Sequence, residues 1–209
     1  AQVFVSILPL PNVNAGSNTG GCEGVASIQL NGTMGGAVNS VIWSGGTGSF
    51  NASNTILNPS YIPSSGDFMN SSMTLTLTGL SIAPCPNVTS TVQIDFYKKP
   101  VINFIVNYPA GCPEHCVHFT DQSMVPPPDA IQSWSWNFGD GGTSSVQNPD
   151  HCYTQSGKYS VTLTATTNHM CSNSLTIPDM VEVYPVPVAA FYATPPVGNV
   201  SDPNIEFQN

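Results

Sequence analysis

The sequence contains few charged residues. Among 209 residues there are three lysines, no arginine and twelve acidic residues, which gives a formal net charge of −9. Charged residues make up 7% of the chain, against about 25% in a typical soluble domain. Three cations cannot neutralise a phosphate backbone or hold a protein on anionic lipid, so we expect no nucleic-acid partner and no electrostatic attachment to a membrane.

Long apolar runs and helical patterns are missing as well. No run approaches the roughly 18 apolar residues that span a bilayer, which predicts no direct membrane insertion. No segment spaces its apolar residues with a helical period. Charge-driven disorder does not fit either, because hydrophobic residues make up 40% of the chain. What remains is a globular chain with a surface of Ser, Thr and Asn, which favours an all-β fold.

Catalytic and thiol-redox motifs are also absent from the sequence. Neither G-x-S-x-G nor H-E-x-x-H occurs, so we expect a protein that is not an enzyme and needs no cofactor. The six cysteines form an even set without a C-x-x-C pair. This pattern favours disulfides and an oxidising, extracellular location.

A pattern of alternating apolar residues followed by proline occurs three times. Val5–Pro11 and Val181–Pro187 both end in Pro-x-Pro, and Ile94–Pro100 is a looser copy. Their last prolines are 89 and 87 residues apart. Each copy is therefore predicted to be the last strand of a module, followed by a short proline-stiffened junction. The residues after the junction repeat too, since Pro100–Phe104 resembles Pro187–Phe191.

The repeat divides the chain into four parts and indicates a window from a longer tandem array. Residues 1–11 are expected to be the last strand of a preceding module, and residues 187–209 the start of a further module. Residues 12–99 and 100–186 are the two complete modules. Short alternating segments between Gly, Pro, Asn and Ser clusters predict an Ig-like β-sandwich for each. The predicted strands are Ser27–Leu30, Ser40–Trp43, Ser72–Thr78 and Thr91–Phe96, then Val101–Asn107, Val117–Asp121, Ser133–Phe138, Cys152–Thr154, Lys158–Thr166 and Met180–Tyr184.

The second module carries three motifs in a fixed order. They are Ser133-Trp-Ser-Trp-Asn-Phe-Gly-Asp-Gly141, Gln147-Asn-Pro-Asp-His-Cys-Tyr153 and Ser156-Gly-Lys-Tyr-Ser-Val-Thr-Leu-Thr164. On these motifs the module resembles the polycystic kidney disease (PKD) domain, an Ig-like sandwich, and departs from the usual pattern at Asn137 and Cys152. The tail from Pro187 looks like the start of another PKD domain. The residues expected in the core of the second module are Trp134, Trp136, Phe138, His151, Tyr153 and Tyr159.

The first module has its own set of motifs. They are Asn14-Ala-Gly16, Cys22-Glu-Gly24, Ile42-Trp-Ser-Gly-Gly-Thr-Gly-Ser-Phe50, Tyr61-Ile-Pro-Ser64, Met73-Thr-Leu-Thr-Leu77 and Cys85. In these it is similar to a repeat of very large surface proteins from gliding Bacteroidetes that use type IX secretion. The resemblance implies a secreted, cell-surface adhesin or stalk built from long arrays of such modules.

Zinc binding and disulfide formation compete for the cysteines of the second module. Thiolate and imidazole groups at Cys112, Cys116, His118 and His151-Cys152 could bind zinc. In a sandwich, however, Cys116 and Cys152 would lie on adjacent strands and face outward, at disulfide distance. We therefore expect no metal site but the disulfide Cys116–Cys152, which leaves Cys112–Cys171 and Cys22–Cys85, with the connectivity inside the second module still open.

Asp140 is a weak calcium candidate because glycines flank it in Phe138–Gly142. A carboxylate in such a loop can bind calcium with help from Asp121 or Asp150. More commonly such an aspartate accepts hydrogen bonds from the amides of its own turn. We favour the turn.

Together these features predict a mechanical and adhesive role. The sequence favours a non-catalytic segment of a secreted stalk, with neighbouring modules of the same chain as partners and surface polysaccharide or other cell-surface proteins as candidate ligands. Two alternatives stay open: the accessory region of a secreted hydrolase, and the subunit of an extracellular filament that polymerises by strand addition.

Overall fold

Among the described residues, the regular secondary structure is almost entirely β-strand. The computed structural model describes residues 7–190, together with the backbone of two further strands near the C-terminus. The elements of the first half are β1 (Asn12–Asn14), β2 (Thr19–Cys22), β3 (Ile28–Gln29), β4 (Thr33–Gly35), β5 (Val38–Ser44), β6 (Ser49–Phe50), β7 (Ser60–Ile62), α1 (Ser65–Met69), β8 (Ser72–Ser81) and β9 (Val88–Tyr97). Those of the second half are β10 (Phe104–Val106), β11 (Ala110–Gly111), β12 (His115–Asp121), β13 (Ile131–Asn137), β14 (Thr143–Ser144), β15 (Asp150–Tyr153), β16 (Gly157–Thr167), β17 (Ser172–Val183), β18 (Tyr192–Thr194) and β19 (Glu206–Gln208). The predicted all-β fold is confirmed.

The chain divides into two compact units, and each unit is built from three separate segments of the sequence. The first unit comprises the chain up to Ile102 together with Ser123–Ser133 and Ala165–Asn173. The second comprises Asn103–Gln122, Trp134–Thr164 and the chain from Ser174 onward. The loop between β12 and β13 and the turn between β16 and β17 therefore belong to the first unit.

The first unit contains a sandwich of a four-stranded sheet, in the order β2-β9-β8-β5, and a three-stranded sheet, in the order β3-β7-β6. Alternation along β8 directs Leu75 and Leu77 inward, where neither has any exposed surface. They join Trp43, Tyr61 and Ile94 in a core cluster drawn from both sheets. Burial of these side chains is the main source of stability for this sandwich.

The second sandwich has one sheet in the order β11-β17-β16-β13-β14 and another in the order β10-β12-β15. Trp136 of β13 meets Phe104 of β10 and Phe119 of β12, with ring centroids 5.1 and 5.5 Å apart. From β16, Val161 and Leu163 enter the same core without any exposed surface. Side chains alternate between the two faces of β13 and β16, so β13 contributes an aromatic side chain to this core and β16 contributes aliphatic ones.

The four strands of the larger sheet in the first module correspond to the first four strands of the larger sheet in the second. The order β2-β9-β8-β5 in the first matches β11-β17-β16-β13 in the second. In both sheets the short outer strand runs parallel to its neighbour: β2 to β9, and β11 to β17. The module repeat seen in the sequence therefore has a counterpart in the strand pairing.

The short helix α1 (Ser65–Met69) was not indicated by the apolar pattern of the sequence. It spans five residues, too few for a helical period to be recognised in the sequence. A capping box begins it, in which the Ser64 side chain accepts from the Asp67 N–H and the Asp67 side chain accepts from the Ser64 N–H. Local capping rather than an amphipathic pattern therefore specifies this helix.

Strand β17 is much longer than the predicted segment Met180–Tyr184, since it begins at Ser172. Pro178 lies within it, and Asp179 has a left-handed φ of 50°. These two residues interrupt the alternation, which is why the sequence pattern placed the start of the strand after them.

Strands β18 and β19 form an antiparallel pair in which Tyr192 lies opposite Gln208. The repeat aligns these two residues with Ile105 and Thr120, which lie opposite each other in β10 and β12. The remainder of the predicted further module at residues 187–209 lies largely outside the described residues. So do residues 1–6 of the predicted strand at residues 1–11, while residues 7–11 are not in a strand.

Candidate functional site

A buried carboxylate, Asp67, connects two motif segments of the first module, Ile42–Phe50 and Tyr61–Ser64. Asp67 is 3% exposed. Its Oδ1 accepts hydrogen bonds from the N–H and the hydroxyl of Thr47, at 2.8 and 3.0 Å. Its Oδ2 accepts from the Tyr61 hydroxyl and the Ser64 N–H, both at 2.8 Å. Four donors therefore compensate for the burial of this charge.

The protonation of these groups fits a structural role. Burial alone would raise the pKa of Asp67, but the hydrogen bonds from Ser64, Thr47 and Tyr61 outweigh it and hold that pKa below its ordinary value. Burial also raises the pKa of Tyr61 to about 12, opposed by the Gly48 N–H and assisted by Asp67. Asp67 is thus ionised and Tyr61 neutral at physiological pH, and neither is poised for acid–base catalysis.

Glycines allow the Trp-Ser-Gly-Gly-Thr-Gly loop to approach this network. Gly45 and Gly46 have φ values of 105° and 69°, and a β-carbon on Gly46 would overlap the Tyr61 hydroxyl. Larger residues would be strained at both positions. The loop motif is therefore explained by packing around Asp67.

In the second module, the calcium candidate Asp140 has both carboxylate oxygens engaged by neighbouring groups. Oδ1 accepts from the Gly142 N–H, and Oδ2 lies 2.8 Å from His151 Nε2. Burial alone would raise the pKa of Asp140, but the hydrogen bonds from His151 and Gly142 hold it below its ordinary value. The His151 ring stacks on Phe138, with centroids 4.1 Å apart. Asp140 therefore ties its own turn to β15.

The two carboxylates that could have helped Asp140 bind calcium also have protein partners. Asp121 Oδ2 accepts the Trp134 indole N–H at 2.7 Å, and Asp150 Oδ1 lies 2.8 Å from His118 Nδ1. Within the described part of the chain, no group of three His, Cys, Asp or Glu side chains could hold a metal ion. The geometry in this region thus favours hydrogen bonding within the protein.

Cys116 and Cys152 lie opposite each other on β12 and β15 and form the predicted disulfide. Alternation along the two strands places both cysteines on the outer face, since Val117 and Tyr153 are buried and the cysteines are exposed. The bridge uses two of the thiols that a zinc site would have needed.

The other two predicted disulfides, Cys22–Cys85 and Cys112–Cys171, are wrong. The structure joins Cys22 to Cys171, with Cα atoms 5.5 Å apart and a sequence separation of 149. Among the described residues, Cys85 and Cys112 are free thiols. The prediction assumed that each bridge stays within one module, whereas Cys22 and Cys171 come from different modules and share one compact unit.

A polar and aromatic cluster surrounds the buried Cys171. The Tyr97 ring stacks on His169, with centroids 3.8 Å apart and planes 7° from parallel. His169 Nδ1 lies 2.7 Å from Asp129 Oδ1, and Asp129 Oδ2 accepts the Lys98 N–H at 3.2 Å. Ring stacking, an ionisable pair and a covalent bond therefore hold the β16–β17 turn in the first unit.

An open groove of about 580 Å³ lies beside this cluster. Its lining includes Met69, Tyr97, Asp129 and the prolines 126–128. Lys98 also lines it, with Nζ 3.3 Å from a Glu23 carboxylate oxygen. Apolar and polar side chains thus line the groove together.

Three of the six predicted core residues are fully buried. These are Trp136, Phe138 and Tyr153. Trp134, His151 and Tyr159 are half-buried instead. The Trp134 indole and the Tyr159 hydroxyl, which donates to the Gln155 carbonyl at 2.7 Å, reach polar partners at the edge of the sandwich. Polar atoms on large side chains thus limit how deeply those side chains are buried.

Sequence reasoning missed Asp67 and the bridge between modules. The spacing Ser64-x-x-Asp67 is a capping-box signal that could have indicated the first. The pairing of Cys22 with Cys171 left no signal in the spacing of the cysteines, because 149 residues separate them.

Comparison with known proteins identifies the second module. Residues 97–183 match the family model of the PKD domain. The PKD1 domain of Vibrio anguillarum Epp is 31% identical over 42% of this chain and 99% of that chain, with a TM-score of 0.37. The PKD1 domain of the Vibrio cholerae metalloprotease PrtV is 30% identical over 41% and 96%, with a TM-score of 0.35. The N-terminal eight Ig domains of Down Syndrome Cell Adhesion Molecule share the fold alone, at 10% identity over 83% and 27%, with a TM-score of 0.51.

Within the residues that the structure describes, no helix is long and apolar enough to cross a membrane.

Proposed function

The chain belongs to the PKD domain family through residues 97–183, and from this premise we propose that it is a non-catalytic segment of a large secreted cell-surface adhesin or stalk protein. PKD and Ig-like domains are generally non-catalytic modules. Two disulfides and a surface of Ser, Thr and Asn fit an extracellular protein. The role of such a segment is to carry a binding element away from the cell.

In more detail, the proposed protein is a surface adhesin of gliding bacteria that is exported by a type IX secretion system. This part of the proposal is supported by the similarity of residues 12–99 to repeats of gliding surface proteins. The motif Ile42–Phe50 and the segment Tyr61–Ser64 that carry this similarity meet at Asp67. Both segments that carry the similarity therefore contribute to one buried hydrogen-bond network.

The observation that carries the proposal is the repetition of one sheet arrangement along the chain. Corresponding sheets, β2-β9-β8-β5 and β11-β17-β16-β13, occur in successive modules, and a disulfide links residues of the two modules. Proline-containing junctions favour a semi-rigid series of units. Neighbouring modules are the proposed partners, and surface polysaccharide or other surface proteins are the proposed ligands.

Antibodies raised against the purified chain test the location and the role. We expect them to label intact cells, and to label only the cell interior when the type IX translocon is disrupted. Blocking with the antibodies, or deleting the gene, should reduce adhesion to a surface. Labelling that survives loss of the translocon contradicts type IX export, and unchanged adhesion contradicts the adhesive role.

Two further measurements distinguish the alternatives. A hydrolase domain in the full reading frame would favour an accessory role for these modules. Concentration-dependent fibres of the purified chain would favour a filament that assembles by strand addition. Many further modules without a catalytic domain, and a purified chain that stays monomeric, agree with the stalk.

A further inference from the structure

Cys22 and Cys112 occupy equivalent positions in the corresponding sheets. In the parallel pair of β2 and β9, Cys22 lies opposite Tyr97. In the parallel pair of β11 and β17, Gly111 lies opposite Val183. The next residue along each strand therefore places Cys112 level with Tyr184. The sequence repeat independently aligns Tyr184 with Tyr97, so the two cysteines are equivalent in strand, register and neighbour.

Cys85 and Cys171 are equivalent in the same sense. Cys85 lies in the turn that joins β8 to β9, and Cys171 lies in the turn that joins β16 to β17. These strand pairs occupy matching places in the two sheets. Each module therefore carries one cysteine at its outer parallel strand and one in its last hairpin turn.

In the one such pair that the described residues contain, the strand cysteine of a module bonds to the turn cysteine of the following module. Cys22, the strand cysteine of the first module, is bonded to Cys171, the turn cysteine of the second. Cys85 and Cys112 are free. By the same rule, Cys112 needs the turn cysteine of a following module, and Cys85 needs the strand cysteine of a preceding one.

Cys112 has the same kind of tyrosine neighbour as Cys22. At Cys22, the β16–β17 turn covers this tyrosine, whereas the tyrosine beside Cys112 is exposed. Tyr97, next to Cys22, is half-buried and stacks on His169 of the turn that carries Cys171. Tyr184, next to Cys112, is 50% exposed, and Cys112 itself is exposed. An aromatic face and a thiol that are covered at one junction are thus both accessible at the next.

We propose that the Cys22–Cys171 bridge is one instance of a repeated staple in which Cys112 bonds to the last hairpin turn of a following module and Cys85 to the outer parallel strand of a preceding module. The inference rests on the proposed tandem array. Each new bond joins two thiols with loss of two protons and two electrons. A protein disulfide of the oxidising compartment accepts the electrons by thiol–disulfide exchange and becomes a dithiol.

The module spacing predicts where the cysteines that bond to Cys112 and Cys85 lie in the full-length sequence. Cys85 and Cys171 are 86 positions apart, and Cys22 and Cys112 are 90 positions apart. The partner of Cys112 is therefore expected about one module length after Cys171, in a hairpin turn. The partner of Cys85 is expected about one module length before Cys22, shortly after a proline-containing junction.

The test is peptide mapping of the native full-length protein. Free thiols are alkylated first, and the protein is then digested without reductant and analysed by mass spectrometry. We expect the Cys112 peptide to be linked to a turn peptide of the following module, and the Cys85 peptide to a strand peptide of the preceding one. Alkylated Cys112, a Cys85–Cys112 link, or a link between two copies of Cys112 would overturn the proposal.

The 209-residue chain, oxidised and analysed in the same way, is the matched control. Here Cys85 and Cys112 are expected to be fully alkylated, while the Cys22 and Cys171 peptides remain linked. The variants Cys85→Ser and Cys112→Ser should each lose one alkylated site. A full reading frame without further modules would contradict the proposed array. Further modules with Cys112 alkylated in the native protein would contradict the staple alone.

Discussion

Replacing Asp67 by asparagine should destabilise the first sandwich severely, although it only exchanges one carboxylate oxygen for an NH₂ group. Each carboxylate oxygen accepts two hydrogen bonds, one pair from Thr47 and the other from Tyr61 and Ser64. An amide presents one acceptor oxygen and one NH₂ group. In either orientation, the NH₂ group faces a backbone N–H, of Thr47 or of Ser64, which then loses its acceptor.

The expected cost follows from the burial of this group. Hydrogen bonds to a charged group contribute about 1.5–3 kcal/mol each, and an unsatisfied buried donor costs about 1–3 kcal/mol. Because Asp67 is 3% exposed, water cannot replace the lost acceptor. We expect Asp67→Asn to lower the free energy of unfolding by about 3 kcal/mol, a large part of the 5–15 kcal/mol typical of a domain.

Urea unfolding at pH 7, with native-state hydrogen exchange to locate the effect, measures this change. Faster exchange is expected in peptides that contain Thr47 and Tyr61. Asp179→Asn, the same substitution at an exposed position, is the matched control and should change stability by less than about 0.5 kcal/mol. Tyr61→Phe removes one donor of the network and should cost about 1–2 kcal/mol.

The dependence on pH provides a second measurement. The folded state holds the pKa of Asp67 below its ordinary value, so the ionised carboxylate stabilises the fold at pH values above the unfolded pKa of about 3.9. This contribution is lost as the pH falls through the folded pKa. The difference between the native chain and Asp67→Asn should therefore shrink below about pH 4. Equal stability of the two proteins at pH 7 would refute the reasoning.

Three other predictions concern the second module and the bridges. Asp140→Asn should lower stability by about 1 kcal/mol equally with calcium and with a chelator, because its oxygens cap a turn and bind His151; stabilisation by calcium in thermal melts would contradict this. Tyr153→Phe should cost about 1 kcal/mol in urea unfolding, since the buried hydroxyl donates to the Phe138 carbonyl, and an unchanged midpoint would argue against that bond. Removing the Cys22–Cys171 bridge by paired serine substitutions should cost roughly 1 kcal/mol more than removing the bridge across 36 residues, because it closes a loop of 149; the reverse order would count against the loop-entropy argument.

Local patterns in the sequence predicted those structural features that depend only on residues close together in the chain. Alternation identified β8 and β13, and it predicted that Cys116 and Cys152 face outward on adjacent strands. Such features follow from the period of two in a strand, which requires no knowledge of distant contacts. The Trp-x-Phe-Gly-Asp-Gly segment was also informative, because its turn is closed by residues only a few positions apart.

Features that depend on distant parts of the chain could not be predicted in the same way. The four hydrogen bonds that Asp67 accepts include two from Thr47, which is 20 positions away in the sequence. The Cys22–Cys171 bond depends on a contact across a module boundary, so reasoning within modules paired both cysteines incorrectly. The length of β17 was missed because Pro178 and Asp179 break its alternating pattern, although the strand runs from Ser172 to Val183.

The Cys22–Cys171 bond also determines which part of the chain carries tension. A pull on the two ends passes along the backbone to Cys22, crosses the sulfur–sulfur bond and leaves from Cys171. The 148 residues between the two cysteines therefore carry no tension. While the bond is intact, these residues cannot be extended by the pull, even if they unfold. At about 3.4 Å per extended residue, the bond withholds roughly 500 Å of chain. A segment of this kind resists stretching by its covalent connectivity as well as by its folding stability.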